Sequence, residues 1–324
     1  GGRLLTAFTM AEILLSLTII GVVAAITLPS LTGNINERTW NTQRKALYAR
    51  FSQAIALMPA LNAYGTLTED ESGSVTADTV AETFVTDGLA KVLKINNICD
   101  SEHLADCGLP ATIFTLKATS KLDFPTTLSE FNAEWHLMDY SDAGGSFYFS
   151  HIDTKAAAFE TNNGESVAVY YTPECVASMN ETEEFYYYPK ACANFIYDLN
   201  GSKGPNTVGK DIGFMTIFFP TDSIIVAPMP LGRMSGNGMA PKDASQYCKA
   251  EGDDYRLPNL YEACSMALNK YLIGIAEGDH SLGNIATGSR GENGGYWLVG
   301  STSRARVVES GSSGGALRAY CIKR

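Results

Sequence analysis

Basic residues are in short supply: 24 lysines and arginines stand against 35 aspartates and glutamates, a formal net charge of −11. Nucleic-acid binding needs a basic footprint, so this balance argues against that partner. An acidic surface instead resists unspecific association. Histidine is scarcer still, and His103, His136, His151 and His280 lack the spacing of a ligand set. No Cys-x-x-Cys pair occurs, which argues against a structural zinc site. Neither a complete phosphate loop nor a dinucleotide fingerprint is present. These gaps predict no resident metal, no cofactor and no catalytic residues. Internal repeats and low-complexity blocks are also missing.

Charge itself is missing from one stretch. Between Ile13 and Asn36 there is no charged residue, and Glu12 stands alone at its head. Ile13–Leu31 is long enough to span a bilayer as a helix. A lone acid at the edge of such a segment is costly in hydrocarbon, so it implies a partner charge or a function. The apolar pattern continues beyond Pro29. Trp40, Leu47, Phe51, Ala54, Ile55 and Met58 recur at helical spacing, with Arg38, Arg44, Lys45 and Arg50 marking the far side. One long helix is predicted, reaching roughly Leu57 and ending near Met58-Pro59.

Seven cysteines point to an oxidising compartment. Nearness in sequence suggests Cys99–Cys107, within a polar loop, and Cys175–Cys192, around the tyrosine-rich Glu181–Tyr188. Cys248, Cys264 and Cys321 then hold one bridge and one free thiol, and the sequence leaves open which.

After Gly65 the composition turns polar and strand-rich. Thr66–Asp78 reads as a loop and Ala81–Leu93 as a helix. Ala156–Glu160 and Ser166–Tyr171 flank the turn Thr161-Asn162-Asn163-Gly164, a hairpin signal. Asn194–Leu199, Gly213–Phe219 and Ile224–Ala227 complete an expected antiparallel sheet. Asp198-Leu199-Asn200-Gly201, with Asp211, has oxygen ligands of the kind calcium takes, but the match to a full calcium loop is poor. A plain Asn-Gly turn is the reading adopted at this point. Phe185-Tyr186-Tyr187-Tyr188 is either a contact surface or a strand under the loop. Leu231–Gly238 reads as a linker and Lys242–Ala250 as a short helix.

The segment Ala7-Phe8-Thr9-Met10-Ala11-Glu12, followed by the apolar run with Gly21 and Pro29, resembles the processing and methylation motif of type IV prepilins and of the pseudopilins of type II secretion. The resemblance implies cleavage between Ala7 and Phe8 by a prepilin peptidase, and methylation of the new Phe8 amine. It also implies assembly through Phe8 and Glu12, and a helix loosened at Pro29. The family usually has glycine where this chain has Ala7. Residues 1–7 are then a leader, which opens on Gly1 rather than methionine, and 8–64 the long helix, transmembrane over 8–31. Pairing the Phe8 amine of one subunit with Glu12 of its neighbour neutralises both charges. Losing one partner of a buried pair costs about 3–5 kcal/mol.

Towards the end of the chain, Tyr247-Cys248, then Arg256-Leu257-Pro258 with Glu262, then Trp297, then Arg318 and Cys321 stand in an order that resembles bacterial C-type-lectin-like domains. The resemblance covers 239–324. It implies a Cys248–Cys321 bridge with Cys264 as a buried thiol, and structural roles for Arg256, Pro258 and Trp297. It places Gly300–Gly315 near a ligand face, with Ser303, Arg304, Arg306, Ser310 and Ser312 as candidate ligand-binding residues. Serine and glycine there suit adaptable hydrogen bonding.

The expected fold is α+β: a long helix, transmembrane then amphipathic, packed on the antiparallel sheet of a head domain, 65–231, with a lectin-like domain after it. The resemblances imply a filament subunit, held in the inner membrane and then assembled with identical or related pilins. Its lectin-like domain would face an unknown ligand on a cell surface or glycan. Two alternatives stand beside it. One is a periplasmic pseudopilin that binds no external ligand. The other is a membrane-anchored enzyme whose lectin-like domain uses Cys264 and Cys321 as thiols.

Overall fold

The protein is described by a computed structural model that covers residues 10–57, 80–116, 120–127, 130, 155–171, 190–219, 225–228, 232–234, 241–269, 272–273, 284–290, 296–300, 307–310 and 317–323. The chain divides into two compact units, 1–46 and 47–324.

Helix α1 runs Met10–Leu57, ending where the pattern predicts and unbroken at Pro29. In the first unit, Met10, Leu14, Leu17, Ile19, Ile20 and Val22 are all exposed. For Glu12, Ile13, Leu15 and 23–36 only the backbone is described. Among the described residues no helix is long and apolar enough to cross a membrane. Of the span expected at 8–31, residues 8 and 9 lie outside the described residues, and side chains are described only at 10, 11, 14 and 16–22. Arg38 and Lys45 are exposed, as a solvent-facing stripe requires. Arg44 departs from that stripe: it is buried, and its Nη1 donates to Asn41 Oδ1 at 2.9 Å.

In the second unit, α2 (Val80–Thr83) passes into a π turn, Phe84–Gly88, and a 3-10 turn, Leu89–Lys91. A regular helix was expected there. Thr83, Val85, Thr86 and Gly88 are all weak helix formers, which accounts for the irregular winding. Strand β1 is Ile95–Cys99, β2 Thr112–Phe114, β3 Lys121–Asp123, β4 Lys155–Thr161, β5 Ser166–Tyr171, β6 Lys190–Asp198, β7 Ile212–Phe219 and β8 Ile225–Pro228. Six of them form one antiparallel sheet, ordered β1-β4-β5-β6-β7-β8. The hairpin at Thr161–Gly164 forms as expected, with Gly164 at φ 83°. Strand β1 was not anticipated, and Cys99 ends this strand instead of lying in a loop.

Both faces of this sheet are covered. On one face, Phe51 stacks with Phe159 and meets Phe195 edge-on, while Phe84 stacks on Tyr171 with centroids 4.7 Å apart. Leu47, Ala54 and Ile55 are buried with Phe51, so the last turns of α1 pack as their spacing predicts. Arg50, placed on the far side by periodicity, instead pairs with Glu165. On the other face, Ala156, Ala158, Ala168, Tyr170, Ile196 and Phe214 pack with Leu104, Cys107, Ile113, Phe124 and Leu272. Coverage on both sides explains why β5 is buried at every position.

Strand β9 (Gly232–Met234), α3 (Pro241–Glu251), β10 (Tyr255–Arg256), α4 (Leu260–Leu268), β11 (Asn284–Arg290), β12 (Tyr296–Gly300), β13 (Val307–Ser310), β14 (Leu317–Arg318) and β15 (Tyr320–Lys323) follow. They build two small sheets, β10-β15-β9 and β13-β12-β11-β14. Gly232–Met234, read as linker from its composition, is a strand paired to β15. Asn259 caps α4 in a reciprocal capping box with Glu262. Helix α4 joins the large sheet through buried polar groups: Thr216 Oγ1 lies 2.7 Å from Ser265 Oγ, and Asn194 bonds Asn269.

Candidate functional site

The residues singled out from sequence fall mostly beyond the description. Ala7, Phe8, Ser303, Arg304, Arg306 and Ser312 lie outside the described residues. So do Cys175 and the Phe185–Tyr188 cluster. Glu12 and Pro29 lie on α1, Ser310 ends β13 and Trp297 lies on β12, each with only its backbone described. Cys192 lies on β6, again with only its backbone described, so the Cys175–Cys192 pairing lies outside what the structure describes.

Among the described residues two disulfides are present. Cys99 bonds Cys107, and Cys248 on α3 bonds Cys321 on β15. The second is the pairing that the lectin-like resemblance implies. Cys264 is free and buried, and burial pushes its thiol well above the ordinary range. The thiolate is the reactive form, so this sulfur is held inert. With Cys321 oxidised, Cys264 and Cys321 form no pair of free thiols. Arg256 sends Nη1 and Nη2 to Glu262 at 2.8 Å each, and Glu262 Oε2 also accepts from Asn259 N. Gly288 N donates to the carbonyl of Pro258 at 2.8 Å. These contacts hold the 255–262 corner against α4 and β11, the structural role the resemblance assigns to Arg256 and Pro258.

The unusual chemistry lies at the turn between β6 and β7. Strand β6 ends at Asp198, which faces Ser166 of β5 on one side and Ile212 of β7 on the other. Asp198 Oδ1 accepts from Asn200 N at 3.0 Å, the local bond that starts an Asx turn. Gly201 follows with φ 64°, a conformation suited to glycine. Asn200 Nδ2 donates to Gly204 O at 3.1 Å. At the far end, Asp211 accepts from Asn206 N at 2.7 Å and from Thr207 N at 2.8 Å. Leu199 N donates to Asp211 O at 3.0 Å, closing the turn.

Those bonds account for the donors of the turn but not for its acceptors. Asp198 Oδ2, Asn200 Oδ1, Asn206 Oδ1 and Ser166 Oγ are buried atoms with no hydrogen-bond partner. Asp198 and Ser166 are wholly buried residues. An unmatched buried polar atom costs about 1–3 kcal/mol, so four around one turn is a concentrated cost. Ser166 Oγ and two backbone carbonyls come close to this turn at Gly201. A Cβ on Gly201 would meet Ser166 Oγ at 3.6 Å, Gly164 O at 3.7 Å and Gly108 O at 3.8 Å. Burial pushes the Asp198 carboxyl up to about 8; the bond from Asn200 N opposes this and the charge of Asp211 adds to it.

No family model, curated protein or solved structure matches this chain. The likeness to pilins and to lectin-like domains therefore rests on the residues that carry it. Among the described residues there is also no group of three or more histidines, cysteines, aspartates and glutamates placed to hold a metal. The turn combines two carboxylates with amide, hydroxyl and backbone oxygens. Sequence reading noticed Asp198, Asn200 and Asp211 but missed Asn206 and Ser166. Asn206 carried no signal beyond its place in a turn, and Ser166 comes from another hairpin.

Proposed function

We propose that this chain is a type IV pilin-like filament subunit. Its processed amino terminus at Phe8 and its Glu12 set the contact between subunits, and the unit that begins at Leu47 is its exposed head. The observation that carries this reading is the apolar surface of α1. Met10 is 81% exposed, Leu14 62%, Leu17 60% and Ile20 64%, on one continuous helix that also holds Glu12. An apolar helical surface of this kind calls for a lipid or protein cover. A membrane supplies it before assembly, and neighbouring helices supply it in the filament. The span over 8–31 and the inner-membrane stage belong to this proposal.

The head carries the second half of the reading. Its last residues are bridged by Cys248–Cys321 and cornered by Arg256–Glu262, which supports a rigid lectin-like domain presenting 300–315 to a ligand outside the cell. The Cys99–Cys107 and Cys248–Cys321 bridges fit an oxidising compartment.

The deciding experiment is mass spectrometry of the mature chain together with a filament assay of Glu12→Ala. Expected are an N-methylated Phe8, and a variant that inserts in the membrane but does not enter filaments. A mature chain that begins upstream of Phe8, or unchanged filaments in the variant, overturns the reading. A glycan or cell-binding screen of the full chain, with Arg304→Ala and Arg306→Ala, tests the ligand face: lost binding supports it, and no binding by the parent favours a pseudopilin role.

A further inference from the structure

The turn from Asp198 to Asp211 does more than reverse the chain. An Asn-Gly turn needs the Asx bond at Asp198 and the positive φ at Gly201, and both are present. It does not need Asp198 Oδ2, Asn200 Oδ1 and Asn206 Oδ1 all to be buried without donors. Nor does it need Ser166 Oγ, another buried oxygen without a donor, to come from β5, opposite Asp198 in register, to 3.6 Å from the Cβ position of Gly201. Carboxylate and amide oxygens only accept, so the occupant they suit is a donor or a cation. Two buried acids, Asp198 and Asp211, favour a positively charged occupant.

We propose that this turn is a calcium site, with Asp198, Asn200, Asn206 and Ser166 supplying side-chain oxygens and Asp211 holding the backbone of 206–207 in place. The donor set decides the metal. Calcium takes six to eight oxygens from carboxylates, amides and backbone carbonyls in adaptable geometry, whereas magnesium demands a tight octahedron and keeps its waters. Zinc prefers nitrogen and sulfur. The carbonyls of Gly108 and Gly164, which converge on the Gly201 position, are further oxygens of the same kind. A bound ion would tie three segments together: the loop after Cys107, the β4–β5 turn and the β6–β7 turn. The inference stands whether or not the chain is a filament subunit.

The test is thermal unfolding of the full chain, stripped with a chelator and then titrated with calcium chloride or magnesium chloride. The parent, Asp198→Asn and Asn206→Gly are compared. Asn206 has φ 49°, so glycine keeps the backbone while removing the oxygen. The expected result is a rise in the parent's Tm with calcium and a much smaller one with magnesium at equal concentration. Each variant should need about tenfold more calcium, or more, for the same rise, because affinity follows ligand charge and number. Should Asp198→Asn fail to fold, Asn206→Gly decides. A parent Tm that calcium leaves unchanged overturns the proposal. Variants that respond to calcium as the parent does overturn it too.

Discussion

Asn194 and Asn269 exchange hydrogen bonds in both directions. Asn194 Nδ2 donates to Asn269 Oδ1 at 2.7 Å, and Asn269 Nδ2 returns a bond to Asn194 Oδ1 at 3.0 Å. Asn194 is fully buried and Asn269 4% exposed, 75 residues apart in the chain. This amide pair, extended by Thr216 and Ser265, joins the C-terminal elements to the large sheet. Asn269→Ala leaves Asn194 Nδ2 without its acceptor, and about 2 kcal/mol of stability should be lost. Urea unfolding should show a lower midpoint at unchanged slope. The double variant with Asn194→Ala should lose less than the sum, since the two share one interaction.

The Arg50–Glu165 pair should anchor the end of α1 to the β4–β5 turn. Arg50 donates to both carboxylate oxygens, and Thr161 Oγ1 donates to Oε2 as well. Arg50 is one-third exposed and Glu165 nearly buried. Removing the cation strands a mostly buried carboxylate, so Arg50→Met should cost about 2 kcal/mol, discounted from the fully buried case for solvent screening. Denaturant unfolding measures it. A cost within a few tenths of a kcal/mol would mean that the pair contributes no more than a surface contact.

Peptide mapping without reduction should find Cys99 linked to Cys107 and Cys248 to Cys321, with Cys264 unmodified by a thiol reagent until the chain unfolds. The Cys248–Cys321 bridge closes a separation of 73 residues. Chain entropy assigns a loop of that length on the order of 4 kcal/mol. Replacing both cysteines by alanine should lower Tm well beyond the effect of the same change at Cys99 and Cys107, whose separation is eight.

The Cys99–Cys107 loop also holds Asp100 and His103, whose side chains meet at 2.8 Å. The hydrogen bond that His103 donates to Asp100 raises the His103 value above that of ordinary histidine, and the same bond lowers Asp100. For His103 the stabilisation is complete below about 6.5 and fades as pH rises through the raised value. For Asp100 it is complete above 3.8 and fades as pH falls through the lowered value. The pair therefore favours the folded chain most between those limits. An NMR titration should show His103 shifted up, and Asp100→Asn should bring it back to the ordinary value.

Much of the second unit was legible from local pattern. The hairpin at Thr161–Gly164 needed only apolar runs flanking a turn signal, and the end of α1 needed only helical spacing up to Met58-Pro59. Other elements carried no such signal. Strand β1 is Ile95-Asn96-Asn97-Ile98-Cys99 at a sheet edge, with exposed asparagines in its middle, so it shows no continuous apolar run. Strand β9 is three residues long and exists only through pairing with β15. Arg44 and Arg50 look like solvent-facing cations from periodicity. Their partners are an acceptor one turn away for Arg44, which is buried, and a distant hairpin for Arg50, which is one-third exposed.

By itself the sequence determined what lies within a few residues of each position: the charge gap behind Glu12, the helix that carries it, the turns and the strands they join. Helical spacing and turn chemistry are local, so one chain suffices to read them. The tertiary structure alone decided which long-range groups meet. It brought Cys248 to Cys321, Asn194 to Asn269 and Ser166 to Asp198. In the last case it showed an Asn-Gly turn to be lined with buried oxygens that have no donors. Burial and hydrogen-bond satisfaction belong to the whole fold, because water is removed from a group by residues that are far away in the chain.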